Sequence, residues 1–185
     1  MTVSTHVATA LGVTTATMAL VNHFAGYSIQ TEHIAQFIIF VLIGAVFPDI
    51  DEPESWIGKR TIIISHFIKF LFGHRGMTHT LLSTIIILAV PMVYSLFIKE
   101  VDAHFMWMVY GFTTGWLMHS VGDAHTKGGI PIFLPFKKKK YHILPKTMRF
   151  KTNTWVEHMI YAPLYNLMTL ASSYLMYVDG YISIV

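Results

Sequence analysis

Gly73–Ile98 reads GHRGMTHTLLSTIIILAVPMVYSLFI. Two histidines and an arginine open directly onto a run of oily residues. Unpaired in hydrocarbon, such groups would cost several kcal/mol each. The junction is therefore expected to mark a membrane boundary, with His74, Arg75 and His79 at the wet surface where a membrane helix from about Thr78 to Ile98 opens. Pro91 predicts a kink in that segment, which a membrane helix tolerates.

The rest of the chain agrees. Of 185 residues, 54% are hydrophobic and 12% charged, against about 25% charged in a soluble domain. Mean hydropathy is +0.52. There is no cysteine, which excludes disulfides and thiolate metal ligands. Histidines number 11 against 10 aspartates and glutamates together. Met1–Ala10 lacks the basic start of a signal peptide, so the first hydrophobic segment is expected to be retained.

A spanning helix needs about 20 mainly apolar residues. Besides Thr78–Ile98, candidates run from about Val7 to Phe24, His33 to Phe47, His104 to Val121 and Val156 to Val178. Ala8, Gly12 and Ala16 form a small-residue stripe on the first, and Gly111 and Gly115 form another on the fourth. Both suit close helix packing. Thr61–Phe72 is too short to span and reads as interfacial or re-entrant. The expected fold is all-α: an integral membrane helical bundle of about five transmembrane helices plus a short interfacial helix. It forms a single domain over 1–185, with a motif-bearing part at 1–136, a basic loop at 137–154 and a last transmembrane helix at 156–178.

With five spans, Pro48–Met77, Gly122–Trp155 and the N-terminus share one face. That face holds every lysine and arginine except Lys99. The positive-inside rule then places it, and the N-terminus, in the cytoplasm and the C-terminus outside. Lys137–Lys140 lie beside Phe133, Phe136 and Tyr141. They suit either anionic lipid headgroups or a solvated loop that only sets orientation.

The same face collects chemistry. His6 precedes the first helix, Asp49 and Asp51 follow the second, His74 and His79 precede the third, and His119 and Asp123 end the fourth. Imidazole and carboxylate are the ligands of catalytic zinc and also suit manganese or iron. His119 and Asp123, four apart, project from one helix face, and Asp49 and Asp51 share a side of an extended turn. Paired carboxylates repel unless a cation sits between them. One or two divalent ions would relieve this and provide an activated water. Each motif alone has a plainer explanation in capping or turn chemistry; their convergence is what points to a metal.

In order along the chain, Thr5–His6, PDIDEPES at Pro48–Ser55, HRGMTH at His74–His79, HSVGDAHTKGG at His119–Gly129 and Pro135–Phe136 resemble the YdjM family of inner-membrane proteins, described as metal-dependent hydrolases. The resemblance covers the chain to about Phe136. It implies that His6, Asp49, Asp51, His74, His79, His119 and Asp123 are metal ligands, one or two of which could instead orient a histidine. Thr80 stands where serine is expected. More remotely, the helix-end arrangement is similar to zinc-dependent phospholipase C and P1-type nucleases.

Asp51, Arg75 and Thr126 are the candidates for the chemistry itself. The Arg75 fork could hold a phosphate bidentately or pair with Asp51, Glu52 or Glu54. Thr126 and Ser55 could bond substrate or form turns. A phosphoester of a lipid-like substrate is the preferred target, because the site lies at headgroup depth. A non-catalytic membrane adaptor and a metal transporter or sensor are the alternatives, although transporter sites usually lie near the bilayer midplane. No nucleic-acid partner is expected.

Overall fold

A computed structural model describes residues 1–26, 31–73, 76–97 and 100–181; His74 and Arg75 therefore lie outside the described residues. The helices are α1 (Val3–Ala25), α2 (Thr31–Val46), α3 (Ile62–Phe72), α4 (Leu81–Leu88), α5 (Val90–Ser95), α6 (Ala103–Ala124) and α7 (Ala162–Val178). Tight turns at Phe47–Asp51 and Met77–His79 follow α2 and precede α4, and a wide helical turn at Glu157–Tyr161 leads into α7. The described residues form no strand, only two isolated bridges.

Two pairs of helices make the framework. α2 and α6 run parallel and nearly touch. A Cβ on Gly115 would overlap the Val41 carbonyl, and one on Gly44 would overlap that of Phe112. Ala10, Phe37, Val41 and Ala45 form the core beneath, with Trp107 and Met118 against it. α1 and α7 also run parallel. A Cβ on Gly12 would lie 2.6 Å from the Tyr165 carbonyl, and the Ser172 hydroxyl donates to Thr15 Oγ1 at 2.7 Å. The small-residue stripes expected on α1 and α6 are thus the contact faces. Thr9, Thr15 and Thr17 return their hydroxyls to carbonyls one turn back, which satisfies those three donors within the helix.

Among the described residues, two segments are long and apolar enough to cross a membrane, Val3–Ala25 and Glu32–Asp51. The third expected span is broken. α4 and α5 part at Ala89, and Pro91 stands in the first turn of α5. Together Leu81–Ser95 rise about 22 Å at about 1.5 Å per residue, short of a hydrocarbon core of about 30 Å. α6 is long enough, but its Gly, Thr, His and Asp residues make it less apolar. The segment expected to be interfacial forms the helix α3. Ser65 is buried, while Ile63, Phe67 and Phe70 are well exposed, and Lys69 Nζ holds Glu52 at 2.8 Å.

The basic loop folds back on the bundle. Ile130 and Tyr141 exchange backbone hydrogen bonds, Lys127 N–H donates to the Phe150 carbonyl, and Leu81 N–H donates to the Ile132 carbonyl. These bonds close residues 127–150 on themselves and tie them to the start of α4. Lys137–Lys140 project outward from the loop. Trp107 packs against His33 and Phe37.

The α2–α6 contact generates a prediction. Gly115→Ala should lower stability by about 1–3 kcal/mol through overpacking, measured by unfolding in detergent. Leu170→Ala, on the exposed face of α7, should change it by less than about 0.5 kcal/mol.

Candidate metal centre

Pro48 ends α2 and enters the tight turn Phe47–Asp51. In such a turn the Ala45 carbonyl would take its hydrogen bond from residue 48, which as proline has no N–H. His119 Nδ1 reaches that carbonyl at 2.7 Å. A carbonyl only accepts, so Nδ1 carries a proton and, in the neutral ring, Nε2 carries the lone pair. The α6 helix thereby aims His119 Nε2 at Asp49 Oδ1, 3.5 Å away.

His79 is fixed in the same way from the other side. The Thr78 hydroxyl donates to Asp51 Oδ2 at 2.5 Å and so accepts from His79 Nδ1 at 2.9 Å. Asp51 Oδ2 lies 3.4 Å from the same Nδ1. His79 Nε2 then points inward, 3.1 Å from His119 Nε2, 3.6 Å from Asp123 Oδ2 and 3.9 Å from Asp49 Oδ1. Asp51 is the carboxylate behind a histidine, the arrangement that sets tautomer and basicity in metal sites.

The first turn of α1 brings His6 against this pair. Its ring stacks on His119 with centroids 3.6 Å apart and planes 6° apart, and its Nε2 lies 3.6 Å from Asp123 Oδ1. Gly122 leaves the room, since a Cβ there would meet His6 Nδ1 at 3.2 Å. The Met1 ammonium also bonds Asp123 Oδ1, at 2.5 Å.

Lone pairs of two imidazoles and two carboxylates therefore converge in a space almost closed to water. His6, His79 and His119 are at most 1% exposed, as is Asp123. Such a set repels itself unless a proton or a cation lies within it, and the Met1 ammonium meets one oxygen of Asp123. His6, Asp49 and His119 each offer a ligand atom within 4.8 Å of the others, and so do His79, His119 and Asp123. Neutral nitrogens with carboxylate oxygens fit zinc, manganese or iron(II). His119 belongs to both groups and has one nitrogen to give, so it could serve only one ion at a time.

Of the seven expected ligands, five meet in these two groups. Asp51 stands behind His79, and His74 lies outside the described residues. Thr126 donates its hydroxyl to the Asp123 carbonyl at 2.8 Å, which ties the end of α6 to the following turn. Ser55 donates to the Asp49 carbonyl at 2.8 Å and accepts from Gly58 N–H. Both hydroxyls thus shape the backbone that carries the ligands.

Sequence reasoning missed Glu157. It is fully buried and accepts from the backbone N–H groups of Thr2 and Asn153, each at 2.6 Å, and from the Thr2 hydroxyl at 3.0 Å. It pins the start of α1, and with it His6, to the last helix. The available signal was a lone carboxylate at the mouth of a membrane-length segment.

The family model described as YdjM inner membrane protein matches residues 1–181. The chain belongs to the YdjM family of inner membrane proteins. The inner membrane protein YdjM of Escherichia coli (strain K12) is 34% identical over 96 residues, 51% of this chain and 46% of that protein. The Shigella flexneri protein of the same name matches to the same extent. This YdjM-family chain thus spans about half the length of those relatives. It is also 33% identical to the uncharacterized protein YvsG of Bacillus subtilis (strain 168), over 73% of this chain and 74% of that one. No solved structure matches.

Elemental analysis of the purified protein tests the site. Near-stoichiometric metal is expected in the wild type and none in Asp49→Ala or His119→Ala. Asp51→Asn should still bind, about 10–100-fold more weakly. Glu157→Ala leaves two amides without an acceptor and should cost about 1–3 kcal/mol of stability, read from the thermal unfolding midpoint.

Proposed function

We propose that this chain is a membrane-bound metal-dependent hydrolase acting on a phosphoester of a lipid-like substrate at the cytoplasmic face. The observation that carries this is the pair of histidines, each held in the tautomer that turns its Nε2 lone pair toward carboxylates. A divalent ion in that position, most simply zinc, supplies a Lewis acid and acidifies water at neutral pH. His119 and His79 hold their lone pairs in place through Ala45 and through Thr78 with Asp51. Asp49 is the ligand with most access, 14% exposed in its side chain, and it lines an open cleft of about 500 Å³ with Glu52, Ser55, Trp56 and Asn153. That size suits a small-molecule site of roughly 300–1,000 Å³. Lys69 offsets the charge of Glu52 there. Arg75 is assigned to bind the phosphate oxygens, and Thr126 to hold Asp123.

The chain is assigned five spans in the inner membrane, N-terminus inside and C-terminus outside, with Lys137–Lys140 against anionic headgroups. The 84% exposed Phe136 beside those lysines supports an interfacial position for the loop. A second reading, a structural metal clamp in an adaptor, is favoured by the stacking of His6 on His119, which joins α1 to α6 without needing turnover.

Release of phosphate from phosphatidic acid and from polyprenyl phosphates separates the two. The hydrolase should act on one of these classes, lose activity to a chelator, and fall to background in His119→Ala. Metal retention with no turnover of any phosphoester would leave the clamp. Because the chain has no cysteine, a single Lys138→Cys variant reports orientation. A membrane-impermeant maleimide should label it in inside-out vesicles and leave it unlabelled in intact spheroplasts.

A further inference from the structure

A second cavity abuts the histidine cluster. It measures about 140 Å³, and its walls include His79, Thr84, Leu117, Ser120, Ile132 and Tyr141. The backbone bond from Leu81 N–H to the Ile132 carbonyl holds its loop wall against α4. Leu81 and Leu117 line it and are 38% and 36% exposed, and Ile85, one turn on from Leu81, is 53% exposed. The cavity therefore adjoins the apolar outer surface of the bundle.

One wall residue is out of keeping. Ser120 is 6% exposed, and its buried hydroxyl meets no hydrogen-bond partner among the described residues. A helical serine can return its hydroxyl to the carbonyl one turn back, as Thr113 does on the same helix. A buried hydroxyl without a partner costs about 1–3 kcal/mol. His79 of the histidine cluster lines the same cavity, so any group Ser120 holds lies beside the candidate metal centre.

We propose that this cavity binds the hydrocarbon chain of an oxygen-bearing amphiphile at its oxygenated end, with Ser120 Oγ hydrogen-bonded to that oxygen. An apolar cavity of about 150 Å³ accepts a group the size of benzene. Only the first few carbons therefore fit inside. The rest of the chain leaves past Leu81 and Leu117 into lipid. This deepens the hydrolase assignment and rests on it for the identity of the chain as substrate; the binding itself does not require turnover.

The probe is a lysophosphatidic acid whose acyl chain carries a diazirine close to the ester, photolysed with the protein in lipid nanodiscs. Labelled peptides are mapped by mass spectrometry. Labelling of 117–124 and 130–143 is divided by labelling of the lipid-exposed face of α7. Wild type and Ser120→Thr should give a ratio well above one. Ser120→Val, which keeps the shape of the threonine variant and loses the hydroxyl, should lower it about two- to tenfold, the worth of one hydrogen bond. Unchanged unfolding midpoints show that the variants fold. A wild-type ratio near one, or equal ratios for Ser120→Thr and Ser120→Val, would overturn the proposal. Cavity labelling without phosphoester turnover would keep this site and remove the hydrolase assignment. Turnover with no cavity labelling would do the reverse.

Discussion

The hydrogen bond from His119 Nδ1 to the Ala45 carbonyl joins the fold to its chemistry. It needs α2 and α6 to run parallel and nearly in backbone contact, which Gly44, Gly111 and Gly115 allow. It needs a helix end with a carbonyl left over, which Pro48 provides. Once made, it leaves His119 a single lone pair and one direction in which to present it. The convergence of His79, Asp49 and Asp123 then acquires meaning, since acceptors gathered out of water demand a positive partner.

Around this joint, each ligand has its own support. Asp51 and Thr78 stand behind His79. Thr126 ties the backbone at Asp123 to the next turn. Glu157 clamps the amide of Thr2 and so sets where α1 begins. A site assembled from four helix ends has no rigid sheet beneath it, so these contacts do the work of a scaffold. They also explain why so many buried threonines and carboxylates occur in a chain otherwise poor in polar groups. The cluster meets a polar cleft at Asp49 and an apolar cavity at His79. An amphiphile at a membrane surface offers both kinds of chemistry.

The sequence by itself determined the all-helical class, the apolar outer surface and the identity of most of the cluster. Helix periodicity and hydropathy are local, and alternating helix direction was enough to bring His6, Asp49, His79, His119 and Asp123 to one end. The small-residue stripes likewise marked the contact faces, because a missing Cβ is visible in the sequence. Only the tertiary structure decided that Asp51 backs a histidine, that Thr126 and Ser55 shape backbone, and that Leu81–Ser95 is too short and broken to count plainly as a span. It alone revealed Glu157 and the cavity at Ser120. Each of these depends on which partner lies across a gap of about 3 Å. That is fixed by packing between segments as far apart as Thr2 and Glu157, and no local pattern encodes it.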